Sequence, residues 1–242
     1  LEPRDSDAAP RLELRGLCGG YGSKQIVFDV DLAVAPASIT VLLGHNGAGK
    51  TTTIATAFGL LPTKSGEVLL DGSRIDKGSP RDRVRSGVGF VPSERFVFPS
   101  LTVEENLTLG AFTEQDAARR AARREWVLDR WPILAERRSQ LAGTMSGGQR
   151  RMLSLGIALM SSPRLLLLDE PSLGLAPVVV DQLFADLRRL ADEDGLSVLL
   201  IEQSIAKALA VSDYAYVMRS GRIIAQEPAA ELARRDSLWE LF

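Results

Sequence analysis

One run of eight residues constrains this chain more than any other: Gly44-His45-Asn46-Gly47-Ala48-Gly49-Lys50-Thr51 fits G-x-x-x-x-G-K-[ST], the P-loop. The pattern demands a strand that ends, a backbone that curls, and a helix that begins at once. Residues 38–43 supply a β-type run before it, and an apolar helical stretch follows it to Leu61. Glycines let the curl point successive N–H groups inward, and the new helix aims the positive end of its dipole at the same place. Such a cradle holds an anion. The segment from Gly44 through Asn46, Gly47, Ala48 and Gly49 to Thr52 is therefore expected to wrap the phosphates of a nucleotide. Lys50 is expected to reach the β- and γ-phosphates, and the Thr51 hydroxyl to ligate Mg2+. His45, the only histidine, is read as a loop residue with no catalytic part.

Residues 165–168 are leucines, and Asp169 and Glu170 follow them. Alone, an apolar run ending in two acids would read as a strand meeting a surface turn. Beside a P-loop it reads differently, because parallel sheets gather their ligands at the carboxyl ends of strands. Asp169 is expected to hold Mg2+, directly or through water, and Glu170 to orient or deprotonate the attacking water.

The rest of the chain suits that frame. At 242 residues, 45% apolar and 25% charged, it is long enough for one buried α/β domain with an inserted subdomain. Residues 1–10 read as a loose leader and 11–242 as a single domain. Between residues 12 and 34, short apolar stretches around Gly19-Gly20-Tyr21-Gly22 suggest antiparallel strands joined there. Residues 66–70 followed by Asp71-Gly72 signal a hairpin, and Val88–Val91 a strand ending at Pro92. From about 95 to 145 the character changes: residues 117–124 are Ala/Arg-rich, read as a helix whose arginines line a solvated face. Afterwards segments 165–168, 179–190, 197–201, 204–211 and 214–218 alternate strand with helix, as in a parallel sheet covered by helices. A net charge of −2 provides no basic field for nucleic acid. Cys18 is alone and cannot form an internal disulfide, which favours a reducing compartment. With no apolar run near the roughly 18 residues of a membrane span, a cytoplasmic location is expected.

Ser146-Gly147-Gly148-Gln149, preceded by Met145, stands before an apolar helical stretch and ends 20 residues before Asp169. Two glycines and a serine at a helix N-terminus make an anion nest. With the P-loop and Asp169-Glu170 in this order, the chain resembles the nucleotide-binding subunits of ABC transporters, whose signature usually has leucine where Met145 stands. The resemblance covers nearly the whole chain. It implies an α/β fold of the ABC-type P-loop NTPases: a mainly parallel sheet core, an antiparallel β subdomain and an inserted helical subdomain at about 95–145 that touches the membrane subunits. It further implies that Ser146, Gly147, Gly148 and Gln149 complete the ATP site of the opposite subunit, and that Tyr21 stacks on adenine.

The chain departs from that family in places. Gln203 falls where the family has its switch histidine; an amide can donate a hydrogen bond to a γ-phosphate oxygen but cannot titrate. The family's glutamine after Val88–Val91 is also missing, and Ser93 or Glu94 stands in its place as a candidate for binding the metal. Together with residues 98–106 and 172–177, Glu202-Gln203 resembles the branch of ATP-binding subunits from bacterial importers of branched-chain and other hydrophobic amino acids. That likeness implies an Mg-ATP hydrolase working as a head-to-tail dimer, with a copy or a sister ATPase, on the inner face of the membrane. Permease subunits and, indirectly, a solute-binding protein are the other implied partners. Two alternatives stay open: a subunit that hydrolyses weakly and depends on a partner ATPase, and a non-transport ABC ATPase.

Overall fold

Alternation of apolar and polar residues builds the first strands. Along β1 (Leu12–Tyr21) Leu12, Leu14 and Leu17 are buried; along β2 (Lys24–Val34) Val27, Val30, Leu32 and Val34 are buried. The two pair antiparallel, from Leu12 opposite Val34 to Tyr21 opposite Lys24. The computed structural model describes residues 9–94 and 97–235, so of the expected leader only Ala9 and Pro10 fall among the described residues. The turn joining β1 to β2 is Gly22-Ser23, later than the Gly19–Gly22 run suggested. Gly19 and Gly20 serve close approach instead: a Cβ on Gly19 would lie 2.4 Å from Thr56 Oγ1, and one on Gly20 would lie 2.1 Å from the Lys24 carbonyl.

The chain then enters a second sheet. β3 (Ile39–Leu43) is buried at every position, as a central parallel strand must be. The P-loop carries it into α1 (Lys50–Phe58), which Gly59 ends in a left-handed cap, short of Leu61. β4 (Thr63–Leu70) and β5 (Ser73–Arg74) return to the first sheet through Asp71-Gly72, both at positive φ as a tight hairpin turn requires. That sheet runs β2-β1-β4-β5, antiparallel throughout.

Next come α2 (Pro80–Arg85), β6 (Val88–Val91), and the helices α3 (Val103–Gly110), α4 (Ala117–Arg130) and α5 (Pro132–Glu136). α4 is amphipathic, but its arginines are not all solvated: Arg123 lies over the Trp126 ring at 3.8 Å and donates from Nε to the Leu159 carbonyl at 2.8 Å. α6 (Gly147–Leu159), β7 (Leu165–Asp169), α7 (Pro177–Asp194), β8 (Ser197–Ile201), α8 (Ile205–Val211), β9 (Tyr214–Arg219), β10 (Arg222–Pro228) and α9 (Ala229–Leu232) complete the chain. The second sheet runs β10-β9-β3-β8-β7-β6; its strands are parallel except β10 at the edge. The leucines of β7 face alternately into two cores. Leu166 and Leu168 pack with α3, α6 and α7, while Leu165 and Leu167 pack with α1 and the first sheet. Burial on both faces explains why the strand reads as an unbroken apolar run.

Candidate functional site

The P-loop curls because three of its glycines take positive φ: 153° at Gly44, 82° at Gly47 and 110° at Gly49. A Cβ on Gly44 would lie 2.3 Å from the Met218 carbonyl of β9, so only glycine lets the loop pass. Gly221, in the turn after β9, pins the loop by donating its N–H to the Ala48 carbonyl at 2.7 Å. Gly49 caps α1 without a side chain, and no acid stands in the first turn. The first-turn amides of Lys50, Thr51 and Thr52 therefore lack helical acceptors, a donor set that fits a polyphosphate. Lys50 is buried, and its Nζ donates to the Gly44 carbonyl at 2.7 Å and the His45 carbonyl at 3.1 Å. Burial pulls its pKa down, against the opposing charges of Glu170 and Asp169. An anion in the cradle would add to those opposing charges and favour the charged ammonium further.

Asp169 ends β7 with only 3% of its surface exposed. Thr51 Oγ1 donates to its Oδ1 at 3.0 Å, and the Ser93 side chain lies near enough to favour the charged carboxylate. Burial raises the Asp169 pKa and the Glu170 charge adds to this, while Thr51, Lys50 and Ser93 oppose it. The three residues named from sequence for the metal thus meet, whereas Glu94 is exposed. Two hydroxyls and a poorly compensated buried carboxylate are a fitting oxygen donor set for Mg2+, which prefers oxygen ligands completed by water and phosphate.

Glu170 follows at φ 46°, unusual for a residue with a side chain. Its N–H donates to the Ile201 carbonyl of β8 at 3.0 Å, and its Oε2 accepts from Gln203 Nε2 at 2.6 Å. Glu170 and Gln203 are therefore paired at the carboxyl ends of adjacent strands. Tyr21, at the far end of β1, is 55% exposed, enough of a face for stacking.

Ser146 caps α6. Its Oγ accepts from the Gln149 N–H at 3.3 Å, and Gln149 Oε1 accepts from the Ser146 N–H at 3.0 Å. This leaves the Gly147 and Gly148 amides as the first-turn donors without helical acceptors. Gly148 is packed against α7, where a Cβ would lie 2.8 Å from Val179 Cγ1.

Sequence reasoning missed two buried charges under the site. Glu202 is 1% exposed and accepts from the Ser172 N–H, the Ser172 hydroxyl and the Gln203 N–H. Arg151 is 2% exposed and donates to the carbonyls of Pro92 and Ser93, both at 3.0 Å. Burial lowers the Arg151 pKa to about 10, partly offset by the charges of Glu202 and Asp169. Both had a signal. Glu202 directly follows a buried strand, as Glu170 does, and Arg151 falls on the buried stripe of α6 with Leu155 and Leu159.

The family described as ABC transporter matches residues 27–173. Over 214 residues the chain is 44% identical to the high-affinity branched-chain amino acid transport ATP-binding protein BraG of Pseudomonas aeruginosa, covering 88% of this chain and 90% of that protein. Over 225 residues it is 38% identical to the probable branched-chain amino acid transport ATP-binding protein LivF of Archaeoglobus fulgidus, covering 93% and 95% respectively. A solved nucleotide-free ATP-binding cassette from an ABC transporter matches with a TM-score of 0.85 at 24% identity, covering 96% of this chain and 98% of that one. At that identity the likeness concerns the fold.

Proposed function

This chain belongs to the ABC transporter family as an ATP-hydrolysing, ATP-binding subunit, and from that premise we propose that it powers import of branched-chain or other hydrophobic amino acids. The observation that carries the solute class is the 44% identity to BraG along nearly the full length of both chains. No helix among the described residues is long and apolar enough to cross a membrane. Passage of the solute is assigned to permease subunits, contacted from the cytoplasmic side by the helices between residues 95 and 145. A solute-binding protein acts indirectly, and nucleic acid has no part.

In this reading two ATPase subunits, a pair of copies or two sisters, close head to tail over two ATP molecules. The P-loop amides and Lys50 hold one triphosphate, with Tyr21 against its adenine. Thr51, Asp169 and Ser93 would hold Mg2+, which would supply positive charge to offset that developing on the phosphates. Ser146 to Gln149 of one subunit cap the γ-phosphate bound by the other. Glu170 orients the attacking water and accepts its proton, while Gln203 donates to a γ-phosphate oxygen. Closure draws the helical subdomains inward and pushes on the permease, driven by the tighter binding of ATP to the closed pair.

The test compares Mg-ATP hydrolysis by this chain alone, by the chain mixed with a sister ATPase, and by both reconstituted with permease in vesicles. Turnover per subunit that rises with protein concentration supports the shared site. Turnover only in the mixture assigns this chain half of each composite site, whereas turnover by the chain alone makes it a self-sufficient motor despite Gln203. Stimulation in vesicles by a binding protein loaded with leucine, isoleucine or valine supports the solute class, and indifference to those solutes rejects it.

A further inference from the structure

We propose that Glu202 is a positioning residue for ATP hydrolysis: its buried carboxylate fixes, at once, the residue that bonds Glu170 and the turn that Glu170 opens. The proposal rests on Glu170 being the residue that acts on water.

Both oxygens of Glu202 are engaged. Oε1 accepts from the Ser172 N–H at 2.9 Å; Oε2 accepts from the Ser172 hydroxyl at 2.7 Å and the Gln203 N–H at 3.2 Å. Bonds to both oxygens fix the plane of a carboxylate as well as its place. A closed ring results. Glu170 leads through Pro171 to Ser172, Ser172 bonds Glu202, Glu202 precedes Gln203, and Gln203 Nε2 returns to Glu170 Oε2 at 2.6 Å.

The ring supplies what the local backbone lacks. Glu170 sits at φ 46°, a conformation that persists only where the surroundings over-determine it. Pro171 has no N–H with which to hold the turn. Within the turn, the Leu173 N–H reaches the Glu170 carbonyl at 3.2 Å and the Leu175 N–H the Ser172 carbonyl at 3.1 Å. Those bonds shape the turn internally; its start is tied to β8 by the Glu170 N–H on the Ile201 carbonyl, and beyond Pro171 the Glu202 carboxylate ties Ser172 to the segment after β8. The turn continues into α7, whose Val179 abuts Gly148, so the same anchor bears on how the Ser146–Gln149 segment is seated.

Removing the anchor should misplace Glu170 and Gln203 while leaving the P-loop intact, so kcat should suffer and ATP binding should not. Glu202→Gln presents an amide to a turn that offers two donors, and Ser172→Ala deletes the hydroxyl bond alone. In steady-state Mg-ATP hydrolysis by the full chain, with its partner ATPase where turnover needs one, Glu202→Gln lowers kcat about tenfold with KM changed less than about twofold. Ser172→Ala lowers kcat about threefold, and Ser172→Thr, which keeps the hydroxyl, restores it.

Glu170→Gln run in parallel separates the two readings. Turnover surviving in Glu170→Gln removes Glu170 from the chemistry and takes this proposal with it. Turnover lost there, but kcat unchanged in Glu202→Gln and Ser172→Ala, overturns the positioning role alone. Parallel loss of kcat and ATP binding, with no recovery in Ser172→Thr, reduces Glu202 to a structural residue and overturns it too. Should Glu202→Gln fail to fold, Ser172→Ala and Ser172→Thr decide by the same criteria.

Discussion

Gln203 donates from Nε2 to Glu170 Oε2 at 2.6 Å, so a neutral amide holds the carboxylate at the end of β7. The bond spans 33 positions of sequence and joins the carboxyl ends of β7 and β8, which pair side by side with Asp169 opposite Ile201. An amide neither adds charge beside Glu170 nor titrates near neutral pH. Glu170 consequently meets the site as an acceptor whose charge its partner does not neutralise.

Replacing Glu170 by Gln keeps the shape and the acceptor oxygen but removes the carboxylate that serves as base in the proposed mechanism. Turnover falls by about two orders of magnitude or more, the usual contribution of a positioned general base. ATP binding is retained and a nucleotide-bound dimer accumulates. Phosphate release and size-exclusion chromatography with Mg-ATP check both; unchanged phosphate release would exclude Glu170 from the reaction.

Gln203→Ala removes a donor that, in the proposed mechanism, acts on the γ-phosphate as its charge develops. Its loss slows hydrolysis by about tenfold while ATP affinity changes less than about threefold, because interactions made mainly in the transition state appear in kcat. Single-turnover rates and titration of nucleotide binding separate the two. Equal losses in rate and affinity would contradict a role confined to the reaction.

Burial pushes the Glu202 carboxyl above its usual 4.5, and its bonds from Ser172 and Gln203 pull it only partway back. Between 4.5 and that raised value the folded chain binds a proton the unfolded chain has lost. Stability from this group is thus fully present below 4.5 and is lost as pH rises through the folded pKa. The difference in Tm between the native chain and Glu202→Gln therefore shifts in favour of the native chain as pH falls from about 7 toward 4.5. Paired melts across that range test it, and a shift of opposite sign would mean that burial does not dominate.

Arg83 is 1% exposed and donates to the Ala57 carbonyl at 2.6 Å and the Ile75 carbonyl at 2.9 Å, tying the end of α1 to the segment after β5. Arg83→Leu keeps apolar bulk but deletes both donors. It destabilises the chain by about 2–3 kcal/mol. Urea unfolding measures this, and a loss below about 0.5 kcal/mol would show the carbonyls satisfied without it.

The parts of the site that could be read beforehand are contiguous in sequence. Gly44 to Thr51, Asp169-Glu170 and Ser146 to Gln149 each carry their chemistry within a few residues, where backbone shape and side chain are local properties. Glu202 and Arg151 could not be assigned the same way, because their partners Ser172, Pro92 and Ser93 are 30 or more positions away. Gly19 and Gly20 show the converse limit. Glycine serves both turns and close packing, and only the nearness of Thr56 and Lys24 shows which use applies.

By itself, then, the amino-acid sequence determined the family, the phosphate cradle and the two carboxylates, since a curled loop before a helix and acids after an apolar strand follow from local preference. Tertiary structure decided which of these meet. β8 lies between β3 and β7, so the loop after β3, the end of β7 and the segment after β8 open at one rim of the sheet. That order brings Thr51 to Asp169 and Gln203 to Glu170, and it buries Glu202 against the Ser172 turn. Strand order is settled by how whole faces of apolar side chains pack between two sheets and a layer of helices, a balance no short stretch of sequence contains.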